Sequence, residues 1–533
     1  MRTHSIASLV SERHGSLRPT VATLVEAADA PANGSLDQPV GRTLELVAEL
    51  CETLDSQGIR YCHWKSNEAI ERSASGENDL DLLVSRPDAQ RFEELVKRLG
   101  FKDIRLPPWK ELPGVAHWYG LDRPSGRLVH IHAHYQLVIG DDMTKNIHLP
   151  IEDAYLASAA LGSLFQIPAP EFELALFLVR MVLKHCAWDA IAMLQGSLSA
   201  SERRELVDLT AQVDPDEIWA VIDGHLPFIE TSLWERCLRS VRPGSSVWFR
   251  VTTARRLGRE LAGCRRRPSA VDTYLKIWRR LRSFLRRYAF GRGPIPKPLS
   301  AGGALVAIVG GDGAGKTTTV ADLSTWLGAE LSTRTVHLGK PPRSSLSLIV
   351  RGSMGLAARI RRSPTSSATA LRSSLAAPDG AARELRTDAR LLWEVMTARD
   401  RYRAYRRARR WASNGTVVVC DRYPLPEITS MDGAVTAGVP DPSRRGRLIG
   451  VLARIERRYY ERIGHPDILI ILRVEPDLAV QRKRGEERES FVRPRTEEIW
   501  RIDWRGTHGT VIDAGRPKAE VLSQIRSLVW SRL

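Results

Sequence analysis

Eight consecutive residues, Gly310-Gly-Asp-Gly-Ala-Gly-Lys-Thr317, match G-x-x-x-x-G-K-[ST] at every fixed position. Glycines at this spacing let the backbone curl until its N–H groups point inward at an anion. Lys316 is expected to reach the β- and γ-phosphates of a nucleoside triphosphate, and the Thr317 hydroxyl to hold Mg²⁺. The nucleotide-binding set is then Gly310, Gly311, Asp312, Gly313, Ala314, Gly315, Lys316, Thr317 and Thr318. A carboxylate over a hundred residues later, Asp421, follows an apolar run and suits the Walker-B-like position, a second Mg²⁺ ligand. Far upstream, Asp79 and Asp81 stand two residues apart, a spacing that sets both on one face of a strand. His130, His132 and His134 repeat that period. The histidines could bind a transition metal with these carboxylates.

The elements around these residues explain their placement. Ala304–Val309 is an apolar run of the kind buried on both faces of a parallel sheet, and Thr318–Leu327 continues the loop as a helix. Strands are expected at Arg334–Leu338, Thr416–Cys420, Asp467–Leu472 and Gly509–Ala514, with a long helix over about 382–412 and a last helix over Lys518–Val529. That alternation predicts an α/β fold with a parallel sheet and ligands at the strands' C-terminal ends. In the first half a helix at Leu44–Leu54, strands at Arg60–Trp64, Gly76–Val84 and Arg127–Gln136, and a helix at Asp88–Leu99 give an α+β pattern. Residues 153–285 read as helical, with Glu171–Lys184 apolar nearly all round.

At 533 residues the chain exceeds one ordinary core. The divisions expected are a disordered leader over 1–40, an α+β domain over 41–150, a helical region over 151–290, a Pro/Gly-rich linker over 291–300 and an α/β domain over 301–533. No apolar run approaches the ~20 residues of a membrane span. Six scattered cysteines without a C-x-x-C pair suit a reducing compartment, so a cytoplasmic protein is expected. The formal charge of +17 would serve a polyanionic partner, though no specific nucleic-acid motif is present. Tyr274–Tyr288 is a basic amphipathic helix whose apolar side would hold Leu275, Trp278, Leu281 and Leu285. It could meet an anionic membrane or polyanion. The expected arrangement is instead a bridge between domains, with the apolar stripe buried and the arginines solvated.

Residues 302–530 resemble thymidylate kinase and its nucleoside-monophosphate-kinase relatives. The resemblance rests on Gly311–Thr318, Ala398-Arg-Asp-Arg401, Asp421-Arg-Tyr423, Pro466-Asp467 with Arg482 and Arg484, and Val511-Ile-Asp-Ala514. It implies a P-loop kinase using ATP and Mg²⁺, with Lys316, Asp312, Arg422, Arg401, Arg482 and Arg484 as catalytic residues. Asp312 would face the acceptor, Arg401 and Arg422 would meet the acceptor or the transferred phosphoryl, and the arginines from Arg482 to Arg495 would form a lid over ATP. Where thymidylate kinases carry Arg-Glu-Pro-Gly-Gly after the second strand, this chain has Leu338-Gly-Lys-Pro-Pro-Arg343; the Ser and Tyr-Gln that follow Asp-Arg-Tyr are replaced within Pro424–Gly433. The resemblance therefore implies an acceptor other than thymidylate.

Residues 41–150 resemble the nucleotidyltransferase fold through Asp79-Leu-Asp81. The resemblance implies that Asp79 and Asp81 would hold Mg²⁺ for phosphoryl transfer; Lys65-Ser66 stands for the usual Gly-Ser, and His130 for the third acid. The readings compared below are thus an ATP-dependent kinase for a small nucleotide or other metabolite, a nucleotide-binding regulatory protein, and a bifunctional enzyme that also transfers nucleotidyl groups. Each admits a homodimer.

Overall fold

The computed structural model describes residues 41–187, 191, 197–285, 288, 297–344, 379–428, 447–485 and 488–533. The leader expected over 1–40, most of the linker over 291–300, and residues 429–433 of the rewritten acceptor segment lie outside the described residues. The chain divides into two units. The second comprises Lys102–Leu106 and Ile295–Leu533, and the first the remainder up to Pro294.

In the first unit, helix α1 (Glu45–Ser56) buries Leu46, Val47, Leu50, Cys51 and Leu54 along one stripe. Strands β1 (Tyr61–His63), β2 (Leu80–Val84), β3 (Val115–Leu121) and β4 (Leu128–His134) lie side by side in the order β1-β2-β4-β3. Strands β2 and β4 are parallel, with Asp81 opposite His132. Strands β3 and β4 are antiparallel, with His117 opposite His132 and Tyr119 opposite His130. Helix α2 (Ala89–Arg98) buries Phe92, Leu95 and Val96. The apolar helix α3 (Pro170–His185) is buried on nearly every side. It forms the centre of a core shared with α4 (Ala200–Gln212), α5 (Pro215–His225), α6 (Thr231–Ser240) and α7 (Val247–Glu260).

The basic helix, α8 (Ser269–Phe284), corrects one expectation. Its apolar stripe is not buried: Trp278 is 40% exposed, Leu281 55% and Leu285 42%. The arginines turn inward instead. Arg280 meets the Asp141 carboxylate at 2.6 Å, and Arg279 donates to the Met143 carbonyl at 2.5 Å. Arg282 lies 3.6 Å over the Trp109 ring. A carboxylate and a carbonyl on the facing loop thus hold the basic side against the unit and leave the apolar side outward.

The second unit is built on β5 (Leu305–Gly310), β6 (Thr333–His337), β7 (Val417–Asp421), β8 (Ile468–Arg473) and β9 (Gly509–Asp513), all parallel in the order β6-β7-β5-β8-β9. Every residue of β5 is buried, as a central parallel strand covered on both faces requires. Helix α9 (Lys316–Glu330) follows the Gly-rich loop. Helix α10 (Asp379–Ser413) packs through Ala404, Ala408 and Ala412, whose small side chains let it lie close on the sheet. Helices α11 (Arg447–Glu461), α12 (Pro476–Arg482), α13 (Glu489–Arg501) and α14 (Lys518–Arg532) complete the unit. Arg526 grips both oxygens of Asp322 at 2.8–3.1 Å, tying the last helix to α9.

Candidate functional site

Strand β5 delivers the chain to the Gly-rich loop at the C-terminal edge of the sheet, where parallel α/β sheets bind ligands. Gly313 has φ +80°, and a Cβ there would fall 2.8 Å from the Ala479 carbonyl oxygen. Gly315 has φ +83° and nothing within 4 Å of its missing Cβ, so the loop opens on that side. Helix α9 starts at Lys316, with no side-chain cap on its N-terminus. Its first-turn amides and the helix dipole are directed at the loop, the arrangement that attracts phosphate. Thr317 and Thr318 are exposed in this first turn, and Ala314 is buried beneath it. The Lys316 ammonium donates to the carbonyls of Gly310 at 2.9 Å and Gly311 at 2.7 Å.

Asp312 is buried under the loop. Arg495 donates to its carboxylate at 3.0 Å, and Lys316 lies 3.7 Å away. Burial alone would push this carboxyl up. The Arg495 hydrogen bond and the charges of Lys316, Arg495 and Arg422 outweigh it and hold Asp312 below the ordinary carboxylate range. Thr496 donates to the Asp312 carbonyl at 3.3 Å, so α13 fastens to the loop at two consecutive residues. Arg482 donates to the carbonyls of Ala514 at 3.0 Å and Gly313 at 3.4 Å. The sequence marks Arg495 only as one arginine in a basic stretch, and nothing in it singles out Thr496.

Asp421 ends β7 and pairs in register with Ile308 of β5. One carboxylate oxygen lies 3.5 Å from His337 Nε2, and the other is buried without a hydrogen-bond partner among the described residues. A buried carboxylate oxygen lacking a donor suits a cation such as Mg²⁺ or a cation-bound water. When bound, Mg²⁺ would neutralise phosphate charge there. Arg422 follows with φ +54°, the left-handed region uncommon for a side-chain-bearing residue. This sharp turn after Asp421 sends Arg422 to where its charge acts on Asp312.

Two further arginines of the expected set are Arg401 and Arg484. Arg401 is buried and donates to the carbonyls of Leu338 at 2.6 Å and Gly339 at 3.1 Å, and to the Tyr460 hydroxyl. It therefore holds the start of Leu338–Arg343, the segment that departs from the thymidylate kinase pattern. Arg484 is exposed in the turn after α12. Arg493, also in the basic stretch, is paired with Asp477 at 2.7 Å and Glu489 at 2.9 Å.

In the first unit, Asp79 and Asp81 do share a region with the histidine strand. His130 Nδ1 meets Asp79 at 2.9 Å, and His132 Nδ1 meets Asp81 at 3.1 Å. Lys65 reaches Asp81 at 2.8 Å. Both carboxyls would be raised by burial. The His130 hydrogen bond holds Asp79 below the ordinary range, and the Lys65 charge with two histidine hydrogen bonds holds Asp81 well below it. Asp81 also opens on a cleft of about 420 Å³ lined by Lys65, Lys145, Arg180 and Lys184. Burial of the Lys145 ammonium there pulls it down to about 8. Behind the cleft, Glu173 accepts from Asn67 at 2.9 Å.

Among the described residues no helix is long and apolar enough to cross a membrane. No family model matches the chain. The chain is similar to the uncharacterized ATP-binding protein YghR of Escherichia coli strain K12, with 28% identity over 233 residues, 42% of this chain and 86% of that protein. The protein of the same name from E. coli O6:H1 strain CFT073 has the same identity and coverage. Among solved structures, thymidylate kinase from Candida albicans covers 43% of this chain and 91% of its own, at 15% identity and a TM-score of 0.25. Strand, Gly-rich loop, helix and parallel sheet together give the second unit a parallel α/β fold with a P-loop.

Proposed function

We propose that the second unit is an ATP-dependent phosphotransferase that moves the γ-phosphoryl group to a small acceptor, a nucleotide or another metabolite, other than thymidylate. One observation carries this reading. The Gly-rich loop with Lys316 and the Asp421 oxygen that has no hydrogen-bond partner among the described residues stand at the C-terminal ends of adjacent parallel strands. Phosphoryl transfer asks the protein mainly for positioning and charge, and Lys316, Arg422, Arg482 and Arg495 supply cations around that edge. The similarity to an ATP-binding protein supports ATP as the donor. Asp312, fixed by Arg495, is the candidate for orienting the acceptor. Arg401 acts as a positioning residue through Leu338 and Gly339.

The altered Leu338–Arg343 segment favours a second reading, in which the protein binds nucleotide and switches a partner without transferring phosphate. ADP release measured against a panel of nucleotides, sugars and other hydroxylated or phosphorylated metabolites separates the two. Acceptor-dependent release supports the kinase, whereas tight ATP binding with no turnover across the panel supports the switch. A thymidylate kcat/KM of about 10⁴ M⁻¹s⁻¹ or more would return the unit to plain thymidylate phosphorylation.

A further inference from the structure

The sheet of the first unit gathers imidazoles in a way that hydrogen bonding to the aspartates does not require. Side chains two residues apart on a strand share a face, so His130 and His132 of β4 stand together. The antiparallel register sets His117 of β3 directly opposite His132. The ring centroids of His117 and His132 are 4.7 Å apart, those of His130 and His132 are 4.2 Å, and those of His117 and His130 are 5.6 Å. One ring nitrogen from each of the three lies within 4.8 Å of the other two. Three nitrogens around a tetrahedral ion with bonds of ~2.0–2.1 Å would be roughly 3.3 Å apart, so small ring rotations bring them into place.

The carboxylates sit where a metal site needs its outer partners. An ionised carboxylate only accepts, so Asp79 and Asp81 take the Nδ1 protons of His130 and His132. In neutral rings that leaves the lone pair on Nε2, the carboxylate–histidine pairing that orients metal-bound imidazoles, and the His132 Nε2 lies 3.6 Å from the second Asp79 oxygen. The alternative triad of Asp81, His132 and His134 is also close enough. It is the weaker one, because Lys65 already neutralises Asp81 at 2.8 Å and His134 is only 2% exposed. His117 and His132 are both partly exposed, which gives an ion a path in.

We propose that the first unit binds one zinc-class divalent transition ion through His117, His130 and His132, with Asp79 and Asp81 orienting two of the rings. Three neutral nitrogen ligands select a borderline-soft ion over Mg²⁺, which prefers oxygen, and leave a fourth position for water. This site is separate from the P-loop and does not depend on the function proposed for the second unit.

The test uses the full chain, stripped with a chelator and equilibrated with Zn²⁺ in millimolar Mg²⁺. Bound metal is counted by mass spectrometry after dialysis, and Co²⁺ serves as a spectroscopic probe. The expected result is one Zn²⁺ per wild-type chain and an intense tetrahedral Co²⁺ spectrum. His117→Gln and His132→Gln should lose the ion, Asp79→Asn should bind it roughly 10–100-fold more weakly, and the exposed His508→Gln should bind as wild type does. The wild-type Co²⁺ spectrum stands even if a variant fails to fold. The proposal is overturned by wild type that retains no Zn²⁺, by a weak octahedral Co²⁺ spectrum, or by unchanged binding in a folded His132→Gln. Loss in His134→Gln with retention in His117→Gln would also overturn it, by moving the site to the other triad.

Discussion

Arg495 donates to the Asp312 carboxylate across 3.0 Å and so joins helix α13 to the underside of the phosphate loop. The pair is asymmetric: Asp312 is buried, while Arg495 is about a third exposed. The acid is therefore the partner held in place. Arg495→Gln should leave the fold intact and weaken ATP turnover roughly tenfold, since a part-exposed charge-assisted bond is worth about one such factor. Thermal melting against pH gives a second readout. The lowered Asp312 carboxyl adds stability above its ordinary value of ~3.9 that is lost as pH falls through its folded value. Asp312→Asn should flatten part of that acid-side slope, and identical slopes in wild type and mutant would contradict the pairing.

Asp421→Asn keeps the shape of the side chain and removes the charge a cation needs. ATP without Mg²⁺ should bind the mutant nearly as well as wild type, while Mg²⁺-dependent turnover drops by roughly 10²–10³. If Asp421 only steadied its neighbour, Arg422→Ala would be equally damaging and extra Mg²⁺ would rescue neither. Equal losses in both variants at all Mg²⁺ concentrations would remove Asp421 from the metal site.

Burial pushes the Glu173 carboxyl up to about 7, against the Asn67 hydrogen bond and the Arg180 charge that pull it down. The folded protein thus keeps a proton that the unfolded chain releases above its ordinary value of ~4.3, and stability falls as pH rises between the two. Glu173→Gln removes that loss. Its melting temperature should exceed that of wild type at about pH 8, by stabilisation on the order of 3 kcal/mol, and nearly match it at about pH 4.5. A gain present at both pH values would mean the effect is packing rather than ionisation.

How far the chain could be read in advance depended on where the information lay. Strand β5 and its loop are legible because an apolar run, four glycines and Lys-Thr are all local signals, and β7 to β9 follow the same logic. Strand β3 is not, because Val115-Ala-His-Trp-Tyr-Gly-Leu121 mixes apolar and polar residues without a clean period and becomes a strand by pairing with β4. His117 is not singled out by the sequence for that reason: its meaning comes from the register opposite His132. Helix α8 shows the opposite failure. Its amphipathic pattern is plain, but which side faces inward is decided by Asp141 and the Met143 carbonyl, over 130 residues upstream. Arg401 matches a family motif at a readable position, yet its donors go to the Leu338 and Gly339 carbonyls, a destination only the folded chain reveals.

The central claim, that the loop at Gly310–Thr317 is where phosphate chemistry occurs, is tested most directly by ATP turnover in Lys316→Ala. This ammonium rests on the carbonyls of Gly310 and Gly311 and lies 3.7 Å from Asp312, so its removal takes away the loop's own cation. With folding verified by an unchanged melting temperature, and each acceptor of the panel supplied in turn, turnover should fall by at least about 10². Wild-type turnover from a folded Lys316→Ala protein would place the chemistry elsewhere in the chain.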